Sequence, residues 1–576
     1  MTNDIVFVCI ALPGGILLLL GRRHVYVYHL PPYIVCNRLL LQCLFTMSVE
    51  RIEIDCAMVD RPPSAEDIET QTYAKKLVSM VLVEWYVKVH VPMQLRSPDI
   101  QLTYDEMIIQ QPVLVPVGSN VLMGTAVDVR DGDIDLVAIV PVHVSHDDFF
   151  HPTHGIASTL NATKGICNVV MVQNASVPIV QLVTLGIKVD LLVVTLMADM
   201  CPLTFDPHSP FAHTYVQPTS IKSLNSIRLN VNLLRHVWDV DVYRRILGII
   251  RVWAKRRGVY GTRYGFPGGA AWAIIVACAM QHGATMSAHC VPPVLNGVIL
   301  VFALLVHHDW PRALALPGTP HASIIGALPP SHSATASGMI VVTPTRPCIN
   351  STHSTSRSQR IAVIQEARRG LIKISEVDHA HTECHDMTGY SPLWEKMTLH
   401  EFTFVLIIEL RSSPVMSAPP ICHAASSDTT DPVSCPPSLC NEDIPPPAAE
   451  AMSQWAGLVE SRLNCVAPQI EATGLCARLM PRRFTVQSQP VVFFAVGMHA
   501  PNWHSANGVD TDVAVRRAFM RVSNTLNFSI QEAAQRAIGT SRIFDATLVV
   551  DSLPVYNIYT HLHLPEHIER TINLTQ

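Results

Sequence analysis

The clearest patterning of apolar and polar positions lies in the first third of the chain. Ile134 to Val140 is an apolar run rich in Val and Ile, entered through Asp131-Gly132-Asp133, and it predicts a buried strand. Val177 to Leu182 predicts a second strand, a turn follows, and Gly186 to Val194 predicts its hairpin partner, with Asp190 inside otherwise apolar sequence. Upstream, Ser64-Ala65-Glu66-Asp67 has the form of a capping box, and Leu77, Met80, Val81 and Trp85 recur at helical spacing, which predicts a helix leading toward the strands. Pro141 to Phe150 reads as a loop whose acids, Asp147 and Asp148, begin a helix. Cys201 to Ser220, rich in Pro and His, reads as a connector and a domain seam. Beyond it Ser223 to Arg228 opens a helical region. Val242, Ile246, Ile249, Ile250 and Trp253 then mark the apolar face of an amphipathic helix that also carries Arg244, Arg245, Arg251, Lys255, Arg256 and Arg257. Tyr260, a Gly-rich turn at Gly265 to Gly269 and a second apolar helix over Ala270 to Ala277 follow. Near the end, Val491–Val496 and Phe544–Tyr556 predict strands on either side of a helix over Thr511–Val522 bearing Arg516, Arg517 and Arg521.

Composition changes this picture in three ways. With 576 residues, 49% hydrophobic and 15% charged, the chain can bury several cores, so two to four domains are expected and global disorder is excluded. The formal net charge of -5 excludes a globally basic nucleic-acid binder, so contact with nucleic acid must rest on local patches. The 15 Cys show no paired Cys-x-x-Cys spacing and read as reduced thiols of an intracellular protein. Residues 1–61 fit poorly with the rest of the chain. The apolar run Ile5 to Gly21 is broken by Pro13-Gly14-Gly15, is short for a membrane span and lacks the basic flank of a signal peptide, so this stretch reads as an extension, or as an extended reading frame with the natural start near Met47.

The candidate chemistry gathers around the acidic strand. Asp133 and Asp135 are two positions apart, and a strand alternates its faces, so both carboxylates point to one side of a sheet, where hard divalent cations find clustered oxygens. Gly118-Ser119 precedes them and offers backbone N–H groups and a hydroxyl to a phosphate. Asp190 is costly in an apolar strand unless something compensates it, and a neighbouring strand carrying Asp133 and Asp135, with metal between, would do so. The basic helix, Tyr260 and the Gly268-Gly269 pair form a wall suited to a triphosphate and a base. A separate group, Asp378, His379, His381, Cys384, His385 and Asp386, contains zinc-ligand types but reads as a polar loop.

At these residues the chain resembles the eukaryotic nuclear poly(A) polymerases, of the DNA polymerase β-like nucleotidyltransferase superfamily. The landmarks run in the family's order: Gly118-Ser119, Asp133-Ile134-Asp135, Asp148-Phe149-Phe150, Val177-Pro178, Gly186 to Asp190, Ser223-Leu224-Asn225, Trp253 to Tyr260, Gly265-Phe266, Gly268-Gly269 and Trp272-Ala273. Trp310-Pro311, Val342 to Thr352 and Gly457 to Arg462 continue the match. The resemblance implies an α+β architecture: a nucleotidyltransferase palm over 62–200, a helical central domain over 201–372, and an RNA-binding domain of ferredoxin or RRM-like form over 373–576, interrupted by a disordered insertion at about 412–449. It implies a template-independent polynucleotide adenylyltransferase of mRNA 3′-end polyadenylation. Asp133, Asp135 and Asp190 would hold two Mg²⁺ ions, with Mn²⁺ as a possible substitute. Gly118, Ser119, Asn225, Arg251, Tyr260, Gly269 and Ala270 would bind ATP. The implied setting is the nucleus, away from membranes, as a monomeric catalytic subunit acting on RNA 3′ ends with proteins of the cleavage and polyadenylation complex.

The sequence also departs from the family. Asn120-Val121-Leu122 follows Gly118-Ser119 where an aromatic residue, Arg and Leu are usual, Gln181 replaces a commonly basic residue, and the family's Pro-Ile-Ser and Trp-Asp-Pro motifs are not visible. Two alternatives stay open: a related terminal transferase with another nucleotide choice, which would lack the Pro344 to Thr352 and Gly457 to Arg462 segments, and an inactive RNA-binding scaffold, which would have lost one of the acids.

Overall fold

A computed structural model of the chain describes residues 8–12, 16–20, 25–29, 64–96, 102–123, 133–173, 177–197, 200–286, 294–319, 338–380, 404–412, 456–481, 483–485, 491–499, 511–537 and 546–554. Val8–Leu12 (β1), Ile16–Leu20 (β2) and Val25–His29 (β3) pair as an antiparallel meander, and the Pro13-Gly14-Gly15 break falls between the first two strands. Of the candidate zinc group, Asp378 and His379 belong to the last turn of a helix, while His381, Cys384, His385 and Asp386 lie outside the described residues, as do Met47 and 413–449. Among the described residues no helix is long and apolar enough to cross a membrane.

The first long helix, Ala65–Trp85 (α1), starts at the expected capping box. The Ser64 side chain accepts from the Asp67 backbone N–H at 3.1 Å, and the Asp67 carboxylate accepts from the Ser64 N–H at 2.9 Å. Its buried face is Ala74, Val78, Val81, Leu82 and Trp85. Met80, expected on that face, is 59% exposed, because it lies about 100° around the helix from Val81. The helix runs on into a π-helical turn, Tyr86–His90, just before Pro92, whose ring does not tolerate a regular hydrogen bond from the preceding turn.

α1 packs on a five-stranded sheet made by Val113–Val117 (β4), Ile134–Val140 (β5), Ile166–Val172 (β6), Ile179–Thr184 (β7) and Ile187–Thr195 (β8), in the order β4-β5-β8-β7-β6. β5 and β8 are parallel and the other neighbours antiparallel. Both faces are covered. Leu136, Ala138, Leu191 and Val193 pack toward α1 and the helix Ile156–Ala162. Val137, Ile139, Leu192 and Val194 pack toward Leu224 and Ile227 of the helix Ile221–His236 (α2) and toward Phe205 and Val216 of the connector. A one-residue slip would exchange these two sets, so the register is strongly specified. The β7–β8 turn enforces it. Leu185 and Gly186 both take positive φ, 54° and 76°, which closes a two-residue hairpin with Thr184 opposite Ile187.

Four helices follow α2 in turn: Val240–Arg256 (α3), Gly269–Met286 (α4), Val294–His307 (α5) and Arg357–Ala380 (α6). α3 is capped by Asp239, whose carboxylate accepts from the Asp241 and Val242 N–H groups, and it buries Ile246, Ile249, Ile250 and Trp253 as the periodicity predicts. Their core is continuous with that of a second sheet formed by Phe404–Ser412 (β9), Cys476–Leu479 (β10), Phe484–Thr485 (β11), Val491–His499 (β12) and Ala546–Pro554 (β13). Its order is β10-β12-β9-β13, all antiparallel, with β11 also on β12, and Val515, Ala518, Val522 and Leu526 of Thr511–Ala537 (α7) complete the core.

Arg257 does not belong to the solvated basic face. It is buried, and Glu366 accepts from its Nε at 2.7 Å and from its Nη2 at 3.1 Å. Arg478 of β10 approaches the same carboxylate to 2.8 Å and donates to the Arg257 carbonyl at 2.7 Å. Burial would raise the Glu366 carboxyl, but its hydrogen bonds and charge pairing with Arg257 and Arg478 outweigh this and hold it below the usual range. The network therefore ties α3, α6 and β10 together.

Two substitutions test these features. Leu185→Asn, whose short polar side chain tolerates positive φ better than leucine, should stabilise the protein by roughly 0.5–1 kcal/mol in denaturant titration. Glu366→Ala, which strands two buried arginines, should cost about 3–5 kcal/mol in the same assay; a loss below about 1 kcal/mol would show that the network carries little.

Candidate active site

The strands bearing the acids are neighbours. β5 and β8 pair with Asp135 directly opposite Asp190, and residues in register on adjacent strands project to the same face of the sheet. The row continues outward, with Val117 opposite Asp135 and Gln181 opposite Asp190. The Gln181 amide Nε2 donates to Asp190 Oδ1 at 2.9 Å. Asp133 is the exposed residue just before β5. Burial first, then the charges of Asp190 and Asp133, push the Asp135 carboxyl up to about 7, against the pull of Arg251. Burial also raises Asp190, opposed by the Gln181 hydrogen bond and reinforced by Asp133. The three acids therefore share one electrostatic environment. Among the described residues, however, no three or more His, Cys, Asp or Glu side chains are gathered closely enough to enclose a metal ion, so the tight cage expected from the sequence is not formed. The donor chemistry still fits a divalent cation: buried carboxylates that hinder one another's ionisation would be relieved by positive charge between them.

Beside this row β4 ends at Val117, and a short helix, Gly118–Met123, begins. Gly118 takes φ of 72°, and a β-carbon there would fall 1.9 Å from Asp135 Oδ2, so only glycine permits this approach. The Gly118 carbonyl accepts from Asn230 Nδ2 at 2.9 Å, and the Leu122 carbonyl accepts from Arg244 Nε at 3.0 Å, so α2 and α3 hold the turn from the helical side.

Between them lies a cleft of about 310 Å³, at the lower end of the range for small-molecule sites. Gly118, Ser119 and Asp135 line one wall, and Arg251, Tyr260, Gly269 and Ala270 line the other. Six of the seven residues expected to bind nucleotide are thus brought together with Asp135. Asn225 is the exception: it does not line the cleft, and its amide donates to the Pro347 carbonyl at 3.1 Å. The α2 residues on the cleft are Ser226, Leu229 and Asn230, whereas Asn225, Arg228 and Asn232 share the face that hydrogen-bonds the Pro344, Arg346 and Pro347 carbonyls. The i, i+3, i+4 spacing separates these two faces; what the sequence did not say is which one meets the cleft.

Residues 112–237 match the family described as "Poly(A) polymerase nucleotidyltransferase domain" and residues 242–390 that described as "Poly(A) polymerase central domain". Over these two stretches the chain is similar to the poly(A) polymerases. It is 27% identical over 346 residues to poly(A) polymerase PAPalpha of Candida albicans, covering 59% of this chain and 53% of that protein. It is also 27% identical over 357 residues to poly(A) polymerase pla1 of Schizosaccharomyces pombe, covering 61% and 54%. The match thus spans about half the length of these curated family members. Among solved structures, the Cid1 poly(U) polymerase superposes loosely, with a TM-score of 0.39 and 12% identity over 61% of this chain and 100% of that one.

The raised Asp135 carboxyl has a measurable sign. Its folded value lies above the unfolded one, so the native state holds the proton more tightly, and stability falls as pH rises from about 4 through 7. In metal-free protein Asp135→Asn should therefore raise the melting temperature above neutral pH, by roughly 2–4 °C for each kcal/mol relieved, with the gap closing toward pH 4. A gap independent of pH in calorimetry would show that Asp135 is ionised normally.

Proposed function

We propose that the protein is a template-independent polynucleotide adenylyltransferase that transfers AMP from ATP to RNA 3′ ends. The observation that carries this reading is Asp135, in register with Asp190 on the neighbouring strand, at one wall of a cleft whose other wall bears Arg251, Tyr260, Gly269 and Ala270. In the reaction the RNA 3′-oxygen bonds to the α-phosphorus of ATP, the α–β phosphoanhydride bond breaks, and pyrophosphate leaves.

The chain's own groups divide this work. Gly118 and Ser119 present backbone and hydroxyl to the triphosphate, and Arg251 meets it from the helical side as a planar fork. Tyr260 offers a ring to the base, and Gly269, lacking a side chain, lets the base approach the backbone at the start of α4. Asp190, held by Gln181, faces the incoming 3′-hydroxyl. Asp133, Asp135 and Asp190 would hold divalent cations, Mg²⁺ or Mn²⁺, which when bound neutralise developing charge and make the 3′-hydroxyl more acidic. Choice of ATP over other nucleotides is supported by the similarity to poly(A) polymerases.

The second sheet supports a ferredoxin or RRM-like reading of the C-terminal region, since helices lie between β9 and β10 and between β12 and β13 and the strand order is β10-β12-β9-β13. Arg516, Arg517 and Arg521 on α7 favour contact with RNA backbone over base reading. The resemblance extends the proposal to mRNA 3′-end formation in the nucleus, alongside cleavage and polyadenylation proteins.

Purified protein given a short unstructured RNA, Mg²⁺ and each nucleotide separately should build a ladder with ATP. Asp135→Ala should reduce it by at least about a thousandfold, the scale of losing an essential charge-stabilising group. Preferential extension with UTP or CTP would overturn the assignment.

A further inference from the structure

We infer that Glu460, far from the cleft in sequence, is a positioning residue for nucleotide binding, because it holds the tip of the loop whose two ends line the cleft. The inference rests on the nucleotide reading above.

Tyr260 and Gly269 both line the cleft, and the segment between them is a closed loop. Its base is fastened by Gly261 N–H to the Pro267 carbonyl at 3.1 Å and by Phe266 N–H to the Gly261 carbonyl at 3.0 Å. Gly261 and Gly265 take φ of 111° and 75°, so the loop is built on residues with little conformational preference of their own and needs outside contacts to stay in one shape. The tip is the single turn Thr262–Tyr264, and the Tyr264 hydroxyl donates to Glu460 Oε1. Glu460 is only 8% exposed and is itself fixed from behind: its Oε2 accepts from Arg483 Nε at 3.0 Å and from Arg483 Nη2. A buried carboxylate gripped by an arginine fork is a rigid acceptor, unlike a surface ion pair. At the cleft end, a β-carbon on Gly269 would stand 3.0 Å from the Tyr260 hydroxyl, so the two lining residues already pack closely and a small rotation of the loop would change their spacing.

The same anchor bears on Arg263. Its Nη1 lies 3.9 Å from Glu460 Oε2, and its charge also reaches Asp190. One carboxylate, held by Arg483 just before β11, thus steadies a turn whose flanks line the nucleotide cleft and whose Arg263 acts on Asp190. Neither ring burial nor the core requires the Tyr264 hydroxyl, since the ring packs in the shared apolar core. Removing the hydroxyl alone therefore separates positioning from folding.

Tyr264→Phe and Glu460→Gln are compared with the unaltered protein in ATP titrations by calorimetry and in steady-state RNA extension. The expected result for Tyr264→Phe is a KM and Kd for ATP raised roughly five- to tenfold, the size of one hydrogen bond's net contribution, with kcat within about twofold and RNA affinity unchanged. Glu460→Gln, whose amide oxygen can still accept from Tyr264, should be milder than Tyr264→Phe on ATP affinity even if it melts at a lower temperature. Tyr264→Phe with ATP affinity within twofold of the unaltered protein, or Glu460→Gln harming ATP affinity while Tyr264→Phe does not, overturns the inference. If the unaltered protein binds ATP and extends RNA, those results leave the polymerase reading intact; if it binds no nucleotide, both fall together.

Discussion

Two half-buried carboxylates side by side on parallel strands are the constraint around which the rest is arranged. Asp135 and Asp190 share a row because β5 and β8 share a register, and that register is fixed by apolar residues that must face opposite layers: Leu136, Ala138, Leu191 and Val193 on one side, Val137, Ile139, Leu192 and Val194 on the other. Sheet burial on both faces makes any slip expensive over every residue at once, which lets the strands hold a pair of like charges that would otherwise be driven apart. The cost falls where β4 has ended and the cleft opens beside Asp135. Gly118 completes the arrangement, since its missing side chain is the space that the Asp135 carboxylate occupies.

Much of this was legible in the sequence because strands report their faces by parity. Asp133 and Asp135 two apart, and Asp190 flanked by apolar residues, pointed to one acidic side of a sheet, and the capping signals at Ser64 and the apolar face of α3 fell where their patterns placed them. Other features depended on partners that local pattern does not name. α2 carries polar residues on two faces, and the choice between Asn225 and the Ser226–Asn230 face is made by the Pro344–Pro347 segment more than 110 residues away. Arg257 follows Lys255 and Arg256 and reads as one more surface charge until Glu366 and Arg478 enclose it. The Tyr264–Glu460 contact spans 196 positions, and neither residue looks unusual in its own neighbourhood.

The distribution of cores shows which parts of the molecule can move against one another at least cost. α3 to α6 and the second sheet share one apolar core, and the buried Arg257–Glu366–Arg478 network crosses it. Sliding the second sheet against these helices would expose apolar surface and separate desolvated charges together, two penalties that reinforce each other. The first sheet has its own cores on both faces. On the cleft side it meets the helices through Leu122 and Met123 and through hydrogen bonds from α2, Asn230 to Gly118, and from α3, Arg244 to Leu122. α2 crosses that boundary, with Leu224 and Ile227 in the core of the sheet and Leu233 in the core of the helices. The cleft therefore sits where these cores meet, with Asp135 on the sheet side and the Arg251–Tyr260–Gly269 wall on the helical side. Rigidity of the helical side then becomes a requirement of the site, because a wall that flexed could not hold a substrate in register with Asp135 and Asp190.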